Sequence, residues 1–153
     1  MNAILPRPID NTYRGHRLGF WLLIAVVFAK AGMGLGTIFN GRWTLRMADA
    51  IPLERFGPEG AQSVVALFAI WGLAHLVLAV FGLLALTRYR SMIPLIFVSY
   101  LAEFVARRGI LAVIPLVRTG TPSGMYVNLA IMGMMILGLA LSLRGRQDDP
   151  ALQ

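Results

Sequence analysis

The sequence predicts an all-α, polytopic membrane protein: a four-transmembrane-helix bundle with a short interfacial helix in its first loop. Hydrophobic residues make up 58% of the chain and charged residues 14%, with a mean hydropathy of +0.71. A water-soluble core of 153 residues could not hide that much apolar surface. Four apolar stretches are each long enough to cross a hydrocarbon layer of about 30 Å. These predicted spans comprise residues 18–39, 61–87, 92–117 and 124–143.

Composition also excludes several classes of function. The chain contains no cysteine, which excludes disulfides, thiolate nucleophiles, cysteine-type zinc sites and iron–sulfur clusters. Its net charge of +7 comes from arginines in short flanks around the spans, a pattern typical of loops at anionic lipid surfaces rather than of nucleic-acid binding. The predicted partners are therefore the lipid bilayer and other membrane subunits or a second copy of the chain, with no nucleic acid.

Residues 1–17 form a polar lead-in that prolines interrupt, and we expect it to lie on the membrane surface. The first span, 18–39, contains Lys30, the only lysine of the chain, and a run of three glycines. No predicted strand precedes this run, so it is not a dinucleotide-binding motif. Gly32 and Gly36 instead match a GxxxG contact face for a neighbouring helix.

The connection between the first two spans has a helical pattern of its own. Trp43, Met47, Ala50 and Ile51 fall at helical spacing, which predicts a short interfacial helix that ends before Pro52. Trp43 is expected to anchor this helix at the level of the lipid headgroups.

Only a few residues separate the second span, 61–87, from the third, 92–117, so the two are predicted to form an antiparallel hairpin. In the third span, Pro94 falls in the first turn, and Pro115 marks the exit or a kink. The fourth span, 124–143, precedes a polar tail at residues 144–153.

Small residues and methionines distinguish the fourth span. Gly133 and Gly138 are expected to let another helix approach closely. Four methionines invite a copper(I) site, because thioethers are soft ligands, but adaptable packing is the favoured interpretation and no metal site is predicted. These residues are Met125, Met132, Met134 and Met135.

Four spans place both termini on one side of the membrane. By the positive-inside rule, the side richer in flanking arginines faces the cytoplasm. The side of the termini carries Arg7, Arg14, Arg17, Arg88, Arg90, Arg144 and Arg146, and the opposite side carries Arg42, Arg46, Arg55 and Arg118. We therefore predict both termini in the cytoplasm of a bacterium, with the bundle in the inner membrane.

Ionisable side chains inside the predicted spans are the main candidates for a site. Counted from the cytoplasmic ends of their spans, Lys30, His75 and Glu103 all lie about 17 to 18 Å deep. Arg107 and Asn128 form a second layer about 22 Å deep. Five polar side chains from four spans are therefore expected at similar depth.

The third span concentrates these groups on one face. Ser99, Glu103 and Arg107 are spaced four residues apart, with Tyr100 beside them, so Glu103 and Arg107 can pair within the helix. One interpretation is a structural cluster, in which this pair and interhelical bonds from Lys30 or His75 neutralise one another. Another is a polar pocket that serves a ligand or a proton, and a third is that the side chains snorkel apart.

His75 permits several interpretations. Paired haem ligation within the chain is excluded, because the only other histidine, His16, lies in the polar lead-in. As a magnesium ligand of a chlorophyll, His75 would need room beside its ring, which Trp71, one turn earlier, would crowd. A hydrogen-bonded core histidine is therefore favoured. We find no catalytic motif in the sequence, so no catalytic residue is predicted, no cofactor is identified, and an enzyme is disfavoured.

The four-span layout, together with Arg17-Leu18-Gly19 followed by Lys30 near Gly32, resembles small bacterial DoxX-like membrane proteins. This resemblance implies a four-helix bundle associated with respiratory or redox membrane systems.

Two functional hypotheses follow. The first is an accessory or assembly subunit of a larger respiratory, photosynthetic or other redox membrane complex. The alternative is a binding or transfer protein, or an enzyme, for a lipophilic or quinone-like anionic ligand. It would use the intramembrane cluster of Lys30, His75, Glu103 and Arg107.

Overall fold

The computed structural model describes residues 4–6 and 8–144, and within this range every regular element is helical. This confirms the all-helical prediction for the described residues. Two single 3₁₀ turns, Leu53–Arg55 and Arg90–Met92, lie in the connections. The five helices are α1 (Arg17–Phe39), α2 (Gly41–Met47), α3 (Pro58–Thr87), α4 (Ile93–Val113) and α5 (Gly124–Arg144). The polar tail predicted beyond Arg144 lies outside the described residues.

Three of the described helices, α1, α3 and α5, are long and apolar enough to cross a membrane. The third predicted span, which contains α4, is not among them, because Glu103, Arg107 and Arg108 lie within the 21 residues of α4. The prediction of four apolar spans is therefore corrected to three that qualify by length and composition.

Helix α4 also ends earlier than the sequence indicates, at Val113 rather than residue 117. Pro115 explains this end, because a proline disfavours the helical conformation of the residue before it. Ile114 accordingly leaves the helix, with φ −121° and ψ 82°.

The four long helices pack as a ring. Helix α1 packs most extensively on α3 and then on α5, while α4 packs on α5 and less extensively on α3. Leu23, Val26, Phe97, Tyr100 and Met135 fill the centre with almost no exposed surface. Large apolar side chains point outward from the ring, among them a phenylalanine of α1 that is 74% exposed, as is typical of helices that contact lipid.

Glycines set the closest helix contacts. A Cβ atom on Gly34 would lie 2.7 Å from the carbonyl oxygen of Gly72, so α1 and α3 touch through their backbones there. Gly138 of α5 faces the ring of Phe97 on α4, which is the close approach that the sequence predicts at this glycine.

The other predicted packing glycines make no close contact with another helix of the ring. At Gly32 and Gly133, no heavy atom lies within 4 Å of the position that a Cβ atom would occupy, and at Gly36 only the side chain of Thr44 does, at 3.8 Å. Because α-helical residues advance by about 100° each, Gly34 lies on nearly the opposite face of α1 from Gly32. The buried face of α1 is therefore the one that carries Gly34.

The short helix expected in the first loop is α2, which begins two residues after α1 ends. Trp43 and Met47 are exposed on it, as a surface anchor requires, and Leu45 is buried. The helix ends at Met47, several residues earlier than the predicted end just before Pro52. Ala50 lies beyond it with a positive φ of 54°.

Main-chain hydrogen bonds dock the α2–α3 and α4–α5 connections onto each other. The amide of Thr119 donates to the carbonyl oxygen of Ala50 at 2.9 Å, and the amide of Gly124 donates to that of Ala48, also at 2.9 Å. We call these docked segments, residues 48–52 and 114–123, the cap. The cap covers one end of the ring.

The lead-in packs against the other end of the ring. The amide of Asp10 donates to Oγ of Ser91 at 3.0 Å, and Oγ of Ser91 donates to the carbonyl oxygen of Asp10 at 2.9 Å. The amide of His16 donates to the carbonyl oxygen of Leu141 at 3.1 Å. These contacts hold the lead-in against the ring, and its expected position on the membrane surface stays a prediction.

Candidate functional site

An ion pair joins α1 to α4 in the interior of the ring. Nζ of Lys30 donates to Oε2 of Glu103 at 2.9 Å, and Lys30 is only 4% exposed. The same ammonium lies 4.9 Å from the centre of the Tyr100 ring. A buried ammonium is costly unless it is paired, and the carboxylate and the ring face together offset that cost.

The second oxygen of Glu103 faces another cation. Nε of Arg107, one turn later on α4, lies 3.4 Å from Oε1 of Glu103. Nη2 of Arg107 donates to Oδ1 of Asn128 on α5 at 3.4 Å, at the long end of hydrogen-bond distances. The Asn128 amide in turn donates to the carbonyl oxygen of Gly124 at 2.9 Å. One polar chain thus links α1, α4 and α5.

Arg107 keeps an unused donor despite these contacts. Its Nε is buried and makes no hydrogen bond to any described residue, because the contact with Glu103 lacks hydrogen-bond geometry. The guanidinium lies 5.3 Å from the centre of the Trp71 ring and 5.2 Å from that of Phe104. Buried donors without a partner are rare in folded proteins, and the acceptor nearest to this nitrogen is Oε1 of Glu103, at 3.4 Å.

A cavity of about 500 Å³ opens beside Arg107, bounded by α3, α4, the start of α5 and the cap. Its walls are mostly aromatic and aliphatic, including Phe68 and Trp71 of α3 and Ile110 and Leu111 of α4. The polar side chains that line it are Asp49, Glu103, Arg107, Arg108, Asn128 and Arg118. Its volume lies within the range of small-molecule sites.

The charges around the cavity are unbalanced. Three arginines line it against two carboxylates, and one of these, Glu103, is already shared between Lys30 and Arg107. The other carboxylate, Asp49, lies in the cap. Burial raises the pKa of Asp49 above its ordinary value, while the charges of Arg118 and Arg107 act in the opposite direction. The cavity therefore has a surplus of positive charge.

His75 and Tyr100 lie behind the site and support it. His75 is 3% exposed. Its Nδ1 lies 3.3 Å from the carbonyl oxygen of Trp71, and its ring meets the Trp71 ring edge-on with centroids 4.9 Å apart. The hydroxyl of Tyr100 donates to the carbonyl oxygen of Leu78 at 2.6 Å, joining α4 to α3. Both side chains hold the walls of the cavity without lining it.

The structure brings together Lys30, Glu103, Arg107 and Asn128, whereas His75, which the depth count groups with Lys30 and Glu103, contacts Trp71 instead. Sequence reasoning did not identify the remaining polar lining, which is Asp49, Arg108 and Arg118. Arg108 could have been inferred from its position next to Arg107. Asp49 and Arg118 reach the cavity only because the cap folds over it.

No group of three histidine, aspartate or glutamate side chains among residues 4–6 and 8–144 is arranged to hold a metal ion. The methionines of α5 take part in packing. Met135 is buried in the core, Met132 and Met134 pack against it, and Met125 lines the cavity.

Comparison of the chain with protein-family models, curated proteins and solved structures finds no match. The DoxX-like resemblance stays a prediction.

Proposed function

We propose that this protein binds a lipophilic anion, a carboxylate or a quinone-like oxyanion, in the cavity beside Arg107. One observation carries the proposal: the guanidinium of Arg107 lines a largely apolar cavity in which arginines outnumber carboxylates. The planar fork of an arginine matches two oxygens of one acidic group. The apolar walls provide the complementary surface for the hydrophobic body of such a molecule.

The polar cluster divides into two parts with different roles. Lys30 and Glu103 form the structural part, because Lys30 does not line the cavity and its ammonium is satisfied by Glu103. Arg107 and Asn128 form the binding part, with Asn128 orienting the guanidinium. Low polarity around the guanidinium strengthens its attraction for an anion. The protein acts here by binding, without a catalytic residue.

We also propose that α4 crosses the membrane, which gives four crossings in all. The protein then lies in the inner membrane of a bacterium, with both termini in the cytoplasm. The 21 residues of α4 extend about 31 Å, close to the hydrocarbon thickness of about 30 Å. Glu103 and Arg107 point to Lys30 and Asn128, so these two charges are directed away from lipid.

Single cysteines test this topology in a chain that contains no native cysteine. Arg88→Cys and Thr121→Cys place exposed thiols before and after α4. With four crossings, a membrane-impermeant maleimide labels Thr121→Cys from outside intact cells and leaves Arg88→Cys unlabelled. If α4 does not cross, both positions lie on the same side and show the same labelling.

Tryptophan fluorescence tests the binding. Trp71 lies on the cavity wall, whereas Trp21 and Trp43 are exposed elsewhere, so a variant with Trp21→Phe and Trp43→Phe reports on the cavity alone. Bromine quenches tryptophan on contact. We expect dibromostearic acid to quench Trp71 at lower concentration than dibromostearyl alcohol, and Arg107→Gln to weaken binding of the acid about tenfold.

Arg55→Gln is the matched control, because Arg55 is exposed at the same end of the ring and does not line the cavity. It should leave the preference for the acid unchanged. Equal quenching by the acid and the alcohol, or a preference that survives Arg107→Gln in a folded protein, would contradict the proposal.

A second candidate function, an accessory subunit, is favoured by Gly32 and Gly133. Both are exposed, and nothing in the described chain lies near their missing side chains, so a helix of another subunit can approach there. Purification in a mild detergent tests this: Gly133→Leu should release a co-purifying membrane subunit if the accessory role is correct. Retention of that subunit by Gly133→Leu and Gly32→Leu alike would contradict the role.

A further inference from the structure

A second, smaller cavity adjoins the first. Its volume is about 240 Å³, and it lies between the last turns of α4 and the start of the α4–α5 connection. It shares Arg108, Leu111, Leu116 and Arg118 with the first cavity, and Ala112 and Pro115 complete its lining. Arg108 and Arg118 therefore lie at the junction of the two cavities, next to apolar side chains of the shared lining.

These two arginines differ from Arg107 in their partners. Within residues 4–6 and 8–144, neither Arg108 nor Arg118 has a carboxylate oxygen within 4.0 Å. Arg108 makes a ring contact, with its guanidinium 5.8 Å from the centre of Phe104. Asp49 lines the first cavity but not the second. The junction therefore has two positive charges without an ion pair, and the nearest described carboxylate that acts on Arg118 is Asp49.

The segment that carries Arg118 is held in place. Thr119, the next residue, donates to the carbonyl oxygen of Ala50 through its amide at 2.9 Å and its hydroxyl at 3.3 Å. Pro115 restricts the backbone on the other side. A guanidinium on a docked segment loses less freedom on binding than one on a free loop, which favours affinity.

We infer that the headgroup of the bound lipophile is a phosphate monoester, held by Arg107 together with Arg108 and Arg118, which all line the first cavity. A carboxylate brings one negative charge, which Arg107 alone can balance. A phosphate monoester brings about 1.5 to 2 negative charges near pH 7 and three strong acceptor oxygens, matching the surplus at the junction. Its hydrocarbon chain occupies the first cavity. This inference rests on the proposed function and specifies its ligand class.

The test uses the protein with Trp71 as its single tryptophan, in nanodiscs of phosphatidylcholine. Dibromostearyl phosphate and dibromostearic acid carry the same chain with different headgroups. We expect the phosphate to bind about tenfold more tightly than the acid. Arg108→Gln with Arg118→Gln should abolish this preference and leave the affinity for the acid unchanged. The control Arg42→Gln with Arg55→Gln removes two exposed arginines outside both cavities and should change neither affinity.

The outcomes separate the two proposals. If the acid binds better than dibromostearyl alcohol but the phosphate binds no better than the acid, the phosphate inference is wrong and the proposed function stands. If neither anionic probe quenches Trp71 better than the alcohol, the proposed function itself is wrong. A phosphate preference that persists in the Arg108, Arg118 double variant also overturns the inference.

Inorganic phosphate, added at millimolar concentration, identifies the source of the headgroup. Displacement of dibromostearyl phosphate shows that the junction takes free phosphate without a chain. Binding that resists inorganic phosphate shows that the hydrocarbon chain is required and that a phosphorylated lipid is the ligand. Both results support a phosphate site at Arg108 and Arg118.

Discussion

The ammonium of Lys30 and the carboxylate of Glu103 meet at 2.9 Å between α1 and α4, with the lysine 4% exposed. This contact joins α1 to the helix that carries most of the charge inside the ring. It leaves the second carboxylate oxygen facing Arg107 at 3.4 Å. The position of Arg107 beside the cavity therefore depends on an ion pair whose lysine does not line that cavity.

Substitution of Glu103 by Gln should lower stability strongly. The change leaves the buried Lys30 without its counter-charge, and removing one partner of a buried ion pair costs about 3 to 5 kcal/mol. Unfolding of the detergent-solubilised protein measures the difference. Glu54→Gln is the control, because the Glu54–Arg46 pair, at 2.7 Å, is exposed and its loss should cost less than about 1 kcal/mol. Equal losses for the two variants would show that the Lys30 pair has no special weight.

Replacing both partners of the pair should recover stability. Lys30→Met combined with Glu103→Leu removes both charges and keeps similar volumes, a replacement that is often neutral or stabilising. We expect the double variant to be more stable than either single variant, and a double-mutant cycle gives the coupling energy. If the double variant is as unstable as the sum of the single changes, the two side chains are not coupled.

Two glycines of α1 should respond in opposite ways to alanine. Gly34→Ala places a Cβ 2.7 Å from the backbone of Gly72, so the helices must separate, at a cost of about 1 to 3 kcal/mol. Gly32→Ala meets open space and should be neutral or stabilise α1 by up to about 1 kcal/mol. Thermal unfolding of the two variants measures the difference. A loss at Gly32 equal to that at Gly34 would contradict the contact face of α1.

Asp49 should make stability depend on pH. Its raised pKa means that the folded protein binds this proton more tightly than the unfolded chain, whose carboxyl titrates near about 3.9. Stability from this group is therefore fully present below that value and is lost as pH rises through the folded-state pKa.

The substitution Asp49→Asn should remove this loss of stability at high pH. The variant should melt at a higher temperature than the parent protein at pH 7, and the difference should shrink as the pH falls towards 4. Glu59→Gln, a change at an exposed carboxylate at the start of α3, should give no such difference. A melting temperature for Asp49→Asn below that of the parent at pH 7 would show that the attraction of Asp49 to the charge of Arg118 outweighs burial.

Hydrophobic length and helical spacing predict the long helices and the hairpin, because each depends on local sequence. The depth count groups Lys30 with Glu103, since residues equally far along adjacent helices lie at the same level. Helix rotation is not contained in such a count. For that reason the sequence assigns Gly32, rather than Gly34, to the packed face of α1.

The cap accounts for most of what sequence patterns did not predict. Asp49 and Arg118 are far apart in the chain, and only main-chain hydrogen bonds such as Thr119 to Ala50 bring their segments together. Main-chain bonds leave no pattern in side-chain identity. Arg108 carried a signal, its charge inside an apolar span, but the sequence did not indicate that it borders a cavity.

Native mass spectrometry of the gently solubilised protein tests the central claim most directly. The account predicts that the chain retains a lipophilic acid as a bound adduct, that Arg107→Gln loses it, and that Arg55→Gln retains it. An adduct-free protein that carries only other protein subunits, or an acidic adduct retained equally by Arg107→Gln, would contradict a ligand site beside Arg107.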